Sequence, residues 1–135
     1  MFLLEFLFCR TGFVIACIGS AVGMEIFNDA NRPVYVAVDE NDSVMGYAFC
    51  IKKKQPFSTN MVPFDSLFID DLCVDQNIRG KHVGQKIFEY VKEEAKKMGC
   101  YEVTLNVWEG NDTARRFYEK MGMVPKETQM EFILK

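Results

Sequence analysis

One stretch, Ser66 to Met98, constrains this chain more than any other. It opens with a run of β-forming residues, Leu67 to Val74, interrupted by the adjacent carboxylates Asp70 and Asp71. A short polar turn, Asp75 to Ile78, comes next, followed by a basic glycine-containing loop, Arg79-Gly80-Lys81-His82-Val83-Gly84. An amphipathic helix starts at once. Ile87, Phe88, Val91, Ala95 and Met98 recur at helical spacing between Lys, Glu and Gln, and Gly99 stands where a helix-ending glycine belongs.

Strand, basic loop and helix start together form a device for holding an anion. The first N–H groups of a helix have no intrahelical partner, and the aligned peptide dipoles put partial positive charge there. Glycine admits a phosphate close to the backbone, and Arg79 and Lys81 add formal charge. Neither the phosphate-loop pattern G-x-x-x-x-G-K-S/T nor the dinucleotide pattern G-x-G-x-x-G occurs. A basic turn before a helix also fits an ordinary surface loop, so the rest of the chain has to decide.

The chain has 135 residues, which argues for a single domain spanning 1–135. Hydrophobic residues make up 49% and charged residues 26%, enough for one soluble core. A net charge of −3 argues against nucleic acid as a partner and favours cationic substrates. Five cysteines without C-x-x-C spacing argue against a disulfide scaffold or a zinc site, so no metal is expected. Free thiols point to a reducing cytoplasm.

Residues 1–27 admit three readings. A secretory leader needs a basic start before its apolar core, whereas Glu5 precedes Arg10 here. A membrane anchor needs about 20 nearly uncharged apolar residues, and the run after Arg10 is shorter and broken by Gly12, Gly19 and Gly23. The third reading, a strand plus a helical segment opening the domain, is preferred. Beyond it, Val34–Val38 and Val44–Ile51 read as a hairpin turning at residues 39–43, with Gly46 marking a bulge or close approach. Lys52 to Pro63 reads as a polar loop with Lys52, Lys53 and Lys54 in solvent. Tyr101–Trp108 alternates as a strand; Asn111 or Asp112 caps a helix to Met121; Thr128–Leu134 reads as a last strand with Met130, Phe132 and Leu134 on one side. A helical crossover implies a parallel pair beside antiparallel strands. The expected class is therefore α/β (α+β), a mixed and mostly antiparallel sheet with flanking helices.

Three segments, L-C-V at 72–74, R-G-K-H-V-G at 79–84 and N-x-x-A-x-x-F-Y-E-K-M-G at 111–122, stand in an order and spacing that resembles the GNAT superfamily of N-acetyltransferases. The likeness runs from about Asn31 to Leu134. His82 departs from it, since the family usually has glycine there, and residues 1–30 are atypical beside the family's usual strand and two helices. The resemblance implies a splayed parallel strand pair and acetyl-CoA as co-substrate, its pyrophosphate held by Arg79, Gly80, Lys81, His82, Val83 and Gly84. It implies that the Leu72-Cys73-Val74 backbone pairs with the pantetheine arm, that the Leu72 N–H stabilises the oxyanion, and that Asn111 contacts the cofactor. It implies Tyr118 as the acid that protonates the departing sulfur.

Direct transfer to an amine also needs a group that takes the ammonium proton. Asp70 is the preferred base and Asp71 its understudy, and both suit recognition of a cationic amine. In a regular strand Asp70 shares a face with Leu72 and Val74. Cys73 is expected to pack as a small apolar residue. Two other readings stay open: a catalytically weak acyl-CoA-binding regulatory module, and a membrane-associated protein anchored through residues 1–27. The acceptor stays open among small-molecule and peptide amines, and so does a homodimer.

Overall fold

The computed structural model describes residues 3–7, 14–19, 30–41, 43–55, 60, 62–78 and 82–135. Arg79, Gly80 and Lys81, three members of the expected anion loop, lie outside the described residues. Six strands form one sheet in chain order: β1 (Leu3–Leu7), β2 (Val14–Gly19), β3 (Val34–Val38), β4 (Val44–Gln55), β5 (Phe64–Val74) and β6 (Glu102–Leu105). Neighbours from β1 to β5 are antiparallel, and β5 and β6 are parallel. Helix α1 (Val83–Lys97) makes the crossover between the parallel strands, and α2 (Asp112–Lys120) follows β6. This is the mixed, mostly antiparallel architecture the sequence implied.

Four local expectations change. The second apolar run near the N-terminus is strand β2 rather than a helical segment. Val14, Ile15 and Ile18 are β-branched, and a place between β1 and β3 gives the backbone a ladder on both edges. Strand β4 runs on through the three lysines, since Lys52, Lys53 and Lys54 pair with Leu67, Ser66 and Asp65. Lys52 also reaches the Asp65 carboxylate at 3.4 Å, and Lys53 lies over the Phe68 ring at 3.9 Å. Strand β6 stops at Leu105, leaving Asn106, Val107 and Trp108 out of the ladder. The last strand is not formed: residues 123–135 carry no regular structure, and Met130, Phe132 and Leu134 are 85%, 86% and 91% exposed. Their alternation is real, but a strand exists only where a neighbour takes its N–H and C=O groups, and this segment has none among the described residues.

The core lies between the sheet and α1. Val83, Ile87, Phe88, Val91 and Ala95 form the buried stripe of the helix and pack on Tyr35, Ala37, Ala48, Cys50, Leu67 and Ile69. Val34, Val36 and Val38 are buried on the opposite face, with Tyr47 and Phe49 packed beside them. Where β5 and β6 begin, Ser66 and Glu102 are direct partners, and the buried Ser66 hydroxyl donates to Glu102 Oε1 at 2.7 Å. Lys126 donates to the same oxygen at 2.6 Å and brings the chain past β6. Burial pushes the Glu102 carboxyl up, but the bonds from Lys126 and Ser66 outweigh it and hold the carboxyl below its ordinary value.

Gly46 fulfils both parts of its expectation. The β3–β4 register slips between Ala37 and Val38, so Met45 is an extra residue beside it. A Cβ at Gly46 would stand 2.7 Å from the Cys73 carbonyl oxygen and 3.0 Å from Ile87 Cδ1. Gly46→Ala must therefore push β4 from β5 or from α1. Overpacking of this kind costs about 1–3 kcal/mol, which chemical denaturation will read as a lower midpoint with an unchanged slope. Wild-type stability in the variant would show that the strands separate freely at this point.

Candidate active site

The site starts from a register break in β5. Phe49 pairs with Asp71, but its neighbour Cys50 pairs with Ile69, so Asp70 has no partner on β4. One extra residue in a strand reverses the facing of everything after it. Before the bulge, Leu67 and Ile69 face α1; after it, Leu72 and Val74 do. Asp71 and Cys73 pass to the other face, beside their partners Phe49 and Tyr47. Leu72 and Val74 thus hold the apolar side as expected. Asp70 does not share it, because it is the bulged residue and is exposed. Cys73 is exposed too, and does not pack as a small apolar residue; the bulge has turned it away from α1.

The bulge also marks where β5 and β6 part. Their parallel ladder joins Ser66–Ile69 to Glu102–Leu105 and goes no further, while β5 continues to Val74. The Asp75 N–H donates to the Met45 carbonyl at 2.8 Å. Hydrogen-bonded and non-bonded pairs alternate along an antiparallel ladder. Cys73 and Tyr47 are therefore the next bonded pair. Leu72 and Val74 turn their backbone groups the other way, towards the gap that β6 leaves.

A cavity of about 180 Å³ fills that gap. Ile69, Asp70, Asp71 and Leu72 line one wall. Leu105, Asn106, Val107 and Trp108 line the other, with Asn111, Ala114 and Tyr118 of α2 and its cap closing the end. Of the expected residues, the cavity thus brings together Asp70, Asp71, Leu72, Asn111 and Tyr118. Val74 and Cys73 continue the strand beyond it.

Helix α2 places its residues by capping. Asn111 Oδ1 accepts the Ala114 N–H at 3.2 Å, fixing the first turn. Ala114, Phe117, Tyr118 and Met121 are half-buried on one face, and the Tyr118 ring meets Phe117 and Phe88 at centroid distances of 5.0 and 6.0 Å. Burial raises the Tyr118 pKa, and the charge of Asp71 raises it further. The phenol is therefore a proton carrier at any working pH.

At the other end of the gap, His82 precedes α1 with φ +58°, in the left-handed region, and its side chain makes no cap bond. Glycine reaches that conformation without steric cost, which explains why glycine is usual there. Gly84, in the first turn, leaves room for its neighbours: a Cβ there would lie 3.4 Å from Phe117 Cζ and 3.5 Å from Val74 Cγ2. The start of α1 is thereby seated beside Val74. Its first turn holds no acidic residue.

Asn106, Trp108 and Tyr47 were not singled out from the sequence. Asn106 and Trp108 were read as strand, and only the early end of β6 makes them cavity wall. Trp108 is 87% exposed at the rim.

Comparison with known proteins bears on the family and the fold. Residues matching the glucosamine 6-phosphate N-acetyltransferase of Arabidopsis thaliana are 44% identical over 62 positions, 46% of this chain and 40% of that protein. The glucosamine 6-phosphate N-acetyltransferase 1 of Dictyostelium discoideum is 38% identical over 66 residues, again 40% of its length. The chain thus spans about two fifths of each of these curated relatives. Among solved structures, a mutant of the BH1408 protein of Bacillus halodurans superposes with a TM-score of 0.75 at 30% identity, covering 82% of this chain and 70% of that one. The Arabidopsis glucosamine 6-phosphate N-acetyltransferase crystal structure gives 0.60 at 30% identity, covering 78% and 68%. Residues 10–123 match the acetyltransferase (GNAT) family, and this chain belongs to it.

Proposed function

We propose that the protein transfers the acetyl group of acetyl-CoA to a primary amine by direct attack in a ternary complex. The observation that carries this reading is the opened strand edge: Leu72 turns its backbone groups into a cavity that a phenol and two carboxylates also line, and Val74 continues the same open edge towards α1. The pantetheine arm adds to β5 as an extra strand where β6 is missing. The pyrophosphate takes the start of α1, where uncapped N–H groups and the residues of the 79–84 loop meet it. Asn111, already engaged in capping α2, presents its remaining polar atoms to the same ligand.

The reaction then runs on this chain's own groups. A carboxylate at the mouth takes the proton of the substrate ammonium, directly or through water. The free amine attacks the thioester carbon, and the Leu72 N–H donates to the oxygen as it becomes negative. The carbon–sulfur bond breaks with its electron pair going to sulfur. Tyr118 donates to that sulfur. A thiol has an ordinary pKa of about 8.5, below that of a raised tyrosine, so a transfer that left a phenolate would be uphill. The hydroxyl acts as a hydrogen-bond donor to the departing thiolate, and the second nitrogen proton, released as the amide forms, passes through water and the Tyr118 hydroxyl to the sulfur, so that the thiol forms and the phenol keeps its proton.

The described cavity wall offers two carboxylates and no cationic side chain. That suits an ammonium group and gives no contact to a substrate phosphate. The two curated relatives named above are glucosamine 6-phosphate N-acetyltransferases, so an amino sugar is the first acceptor to try. The test is thiol release from acetyl-CoA with a panel of glucosamine 6-phosphate, glucosamine, aminoglycosides, polyamines and peptide N-termini. Amine-dependent release with any of them supports the reading; tight acetyl-CoA binding without release would make the protein an acyl-CoA-binding module.

Two variants test the roles separately. Arg79→Ala will weaken acetyl-CoA binding about tenfold or more in a calorimetric titration, the scale of one lost charge-assisted contact, with thermal stability unchanged. Unchanged affinity would remove the pyrophosphate from this loop. Tyr118→Phe will lower kcat about 100-fold and leave acetyl-CoA affinity near wild type. Normal turnover, with the chemical step shown to limit the rate, would leave Tyr118 as a packing residue.

A further inference from the structure

We infer that Tyr47 is a positioning residue which holds Asp71, rather than Asp70, as the carboxylate that receives the substrate amine. The inference rests on the acetyltransferase reading above and assigns a residue to it.

The geometry begins with the bulge. Tyr47 and Cys73 are direct partners across β4 and β5, and Phe49 and Asp71 are the next pair along. All four side chains share the sheet face away from α1. Tyr47 then reaches diagonally and donates its hydroxyl proton to Asp71 Oδ2 at 3.2 Å. The reach is fixed from behind, because the Tyr47 ring packs edge-on against Phe49 with centroids 5.0 Å apart and sits beside the buried Val34, Val36 and Val38. A half-buried ring held in that way carries a rigid donor to an exposed carboxylate. It occupies one oxygen and leaves Oδ1 to accept a proton.

Asp70 is placed differently. It has no residue opposite it on β4, and no hydrogen bond or ion pair among the described residues. Its side chain is exposed at the cavity wall with no side-chain contact among the described residues to fix its direction. A base must sit within hydrogen-bond reach of the proton it takes, and a carboxylate held by a neighbour meets that requirement more readily than one that is not.

The charged and titratable groups facing Asp71 support the choice. Burial raises the Tyr47 pKa, and the Asp71 charge and hydrogen bond raise it further, with Cys73 contributing. The Asp71 charge also acts on Tyr118 from α2. Asp71 therefore lies within electrostatic reach of the group that serves the leaving sulfur, and Tyr47 stays protonated to hold it.

The test uses Tyr47→Phe, which removes one hydroxyl and keeps the ring. Initial rates are measured with an acceptor from the panel on which the wild type turns over, beside Asp71→Asn, Asp70→Asn and the double variant Tyr47→Phe/Asp71→Asn. The expected result is a fall of about tenfold in kcat for Tyr47→Phe, with acetyl-CoA affinity and thermal stability unchanged. Asp71→Asn should fall further than Asp70→Asn, and the double variant should be no slower than Asp71→Asn alone. A purely structural tyrosine would move stability or affinity and would add its effect to that of Asp71→Asn. The inference is overturned if Tyr47→Phe turns over normally, if its loss multiplies with that of Asp71→Asn, or if Asp70→Asn is the slower carboxylate variant. A wild type inactive toward every amine would instead remove the acetyltransferase reading, and this assignment with it.

Discussion

The unpaired residue at Asp70 is the constraint on which the rest of the site depends. A regular β5 would keep its ladder with β6 and would carry the facing of Leu67 and Ile69 on to Asp71 and Cys73, setting a carboxylate against α1 and turning Leu72 and Val74 away from it. The bulge relieves both conditions at once. It puts the pair of carboxylates into solvent, returns Leu72 and Val74 to the core facing α1, and coincides with the last residue of the parallel ladder, Ile69 opposite Leu105. Strands can only part where something else satisfies their backbone. Here the β4 side remains bonded, so β5 keeps its place in the sheet while its other edge opens.

What holds the open edge rigid lies on the far side of the sheet. Gly46 lets β4 and β5 approach closely under α1, with the Cys73 carbonyl 2.7 Å from where a Cβ would be. Ser66, Glu102 and Lys126 tie β5 to β6 at the start of the parallel pair. The pair is thus clamped below the gap and free above it, and the gap widens in one direction only. Tyr118 enters it from a helix whose first turn is fixed by Asn111, so the phenol and the strand edge are set by separate elements.

Much of this was legible in the sequence because it rests on local rules. The helix from Val83 follows from apolar spacing, the α2 start from Asn111, the helix ends from Gly99 and Gly122, and the hairpin from alternation around residues 39–43. The family resemblance put Leu72, Tyr118 and Asn111 into one site, and the cavity wall includes all three. What escaped was non-local. Nothing in the string D-D-L-C-V says that one aspartate lacks a cross-strand partner, because a bulge is a property of two strands in register. The same blindness promised a last strand from the alternation of Met130, Phe132 and Leu134, which a ladder partner alone could have made. It also hid Tyr47, whose role depends on lying diagonal to Asp71 after the register has slipped. Lys53 and Lys54 are exposed, as expected, but exposure does not make a loop: the strand carries all three lysines, with Lys52 paired to Asp65 and Lys53 lying over the Phe68 ring.

The two ends of the opened edge differ in electrostatic character, and in the proposed complex that difference would orient the anionic thioester donor. Val74 lies beside the first turn of α1, where the dipole and unpaired N–H groups favour negative charge and no acidic residue stands. Asp71 lies three residues back along β5, about 10 Å at the rise of an extended strand. That exceeds the screening length of about 8 Å at physiological salt, so the carboxylates do little to repel phosphates bound at the helix. At shorter range the Asp71 charge is felt by both Tyr47 and Tyr118. A ligand bound backwards would set its phosphates against Asp70 and Asp71 and leave the helix start unpaired. In the proposed ternary complex the forward orientation brings the acyl group to the Leu72 N–H and leaves the carboxylates to the incoming cation. A single break in one strand would thus separate the proposed anion and cation sites by the length of chain between Val74 and Asp71.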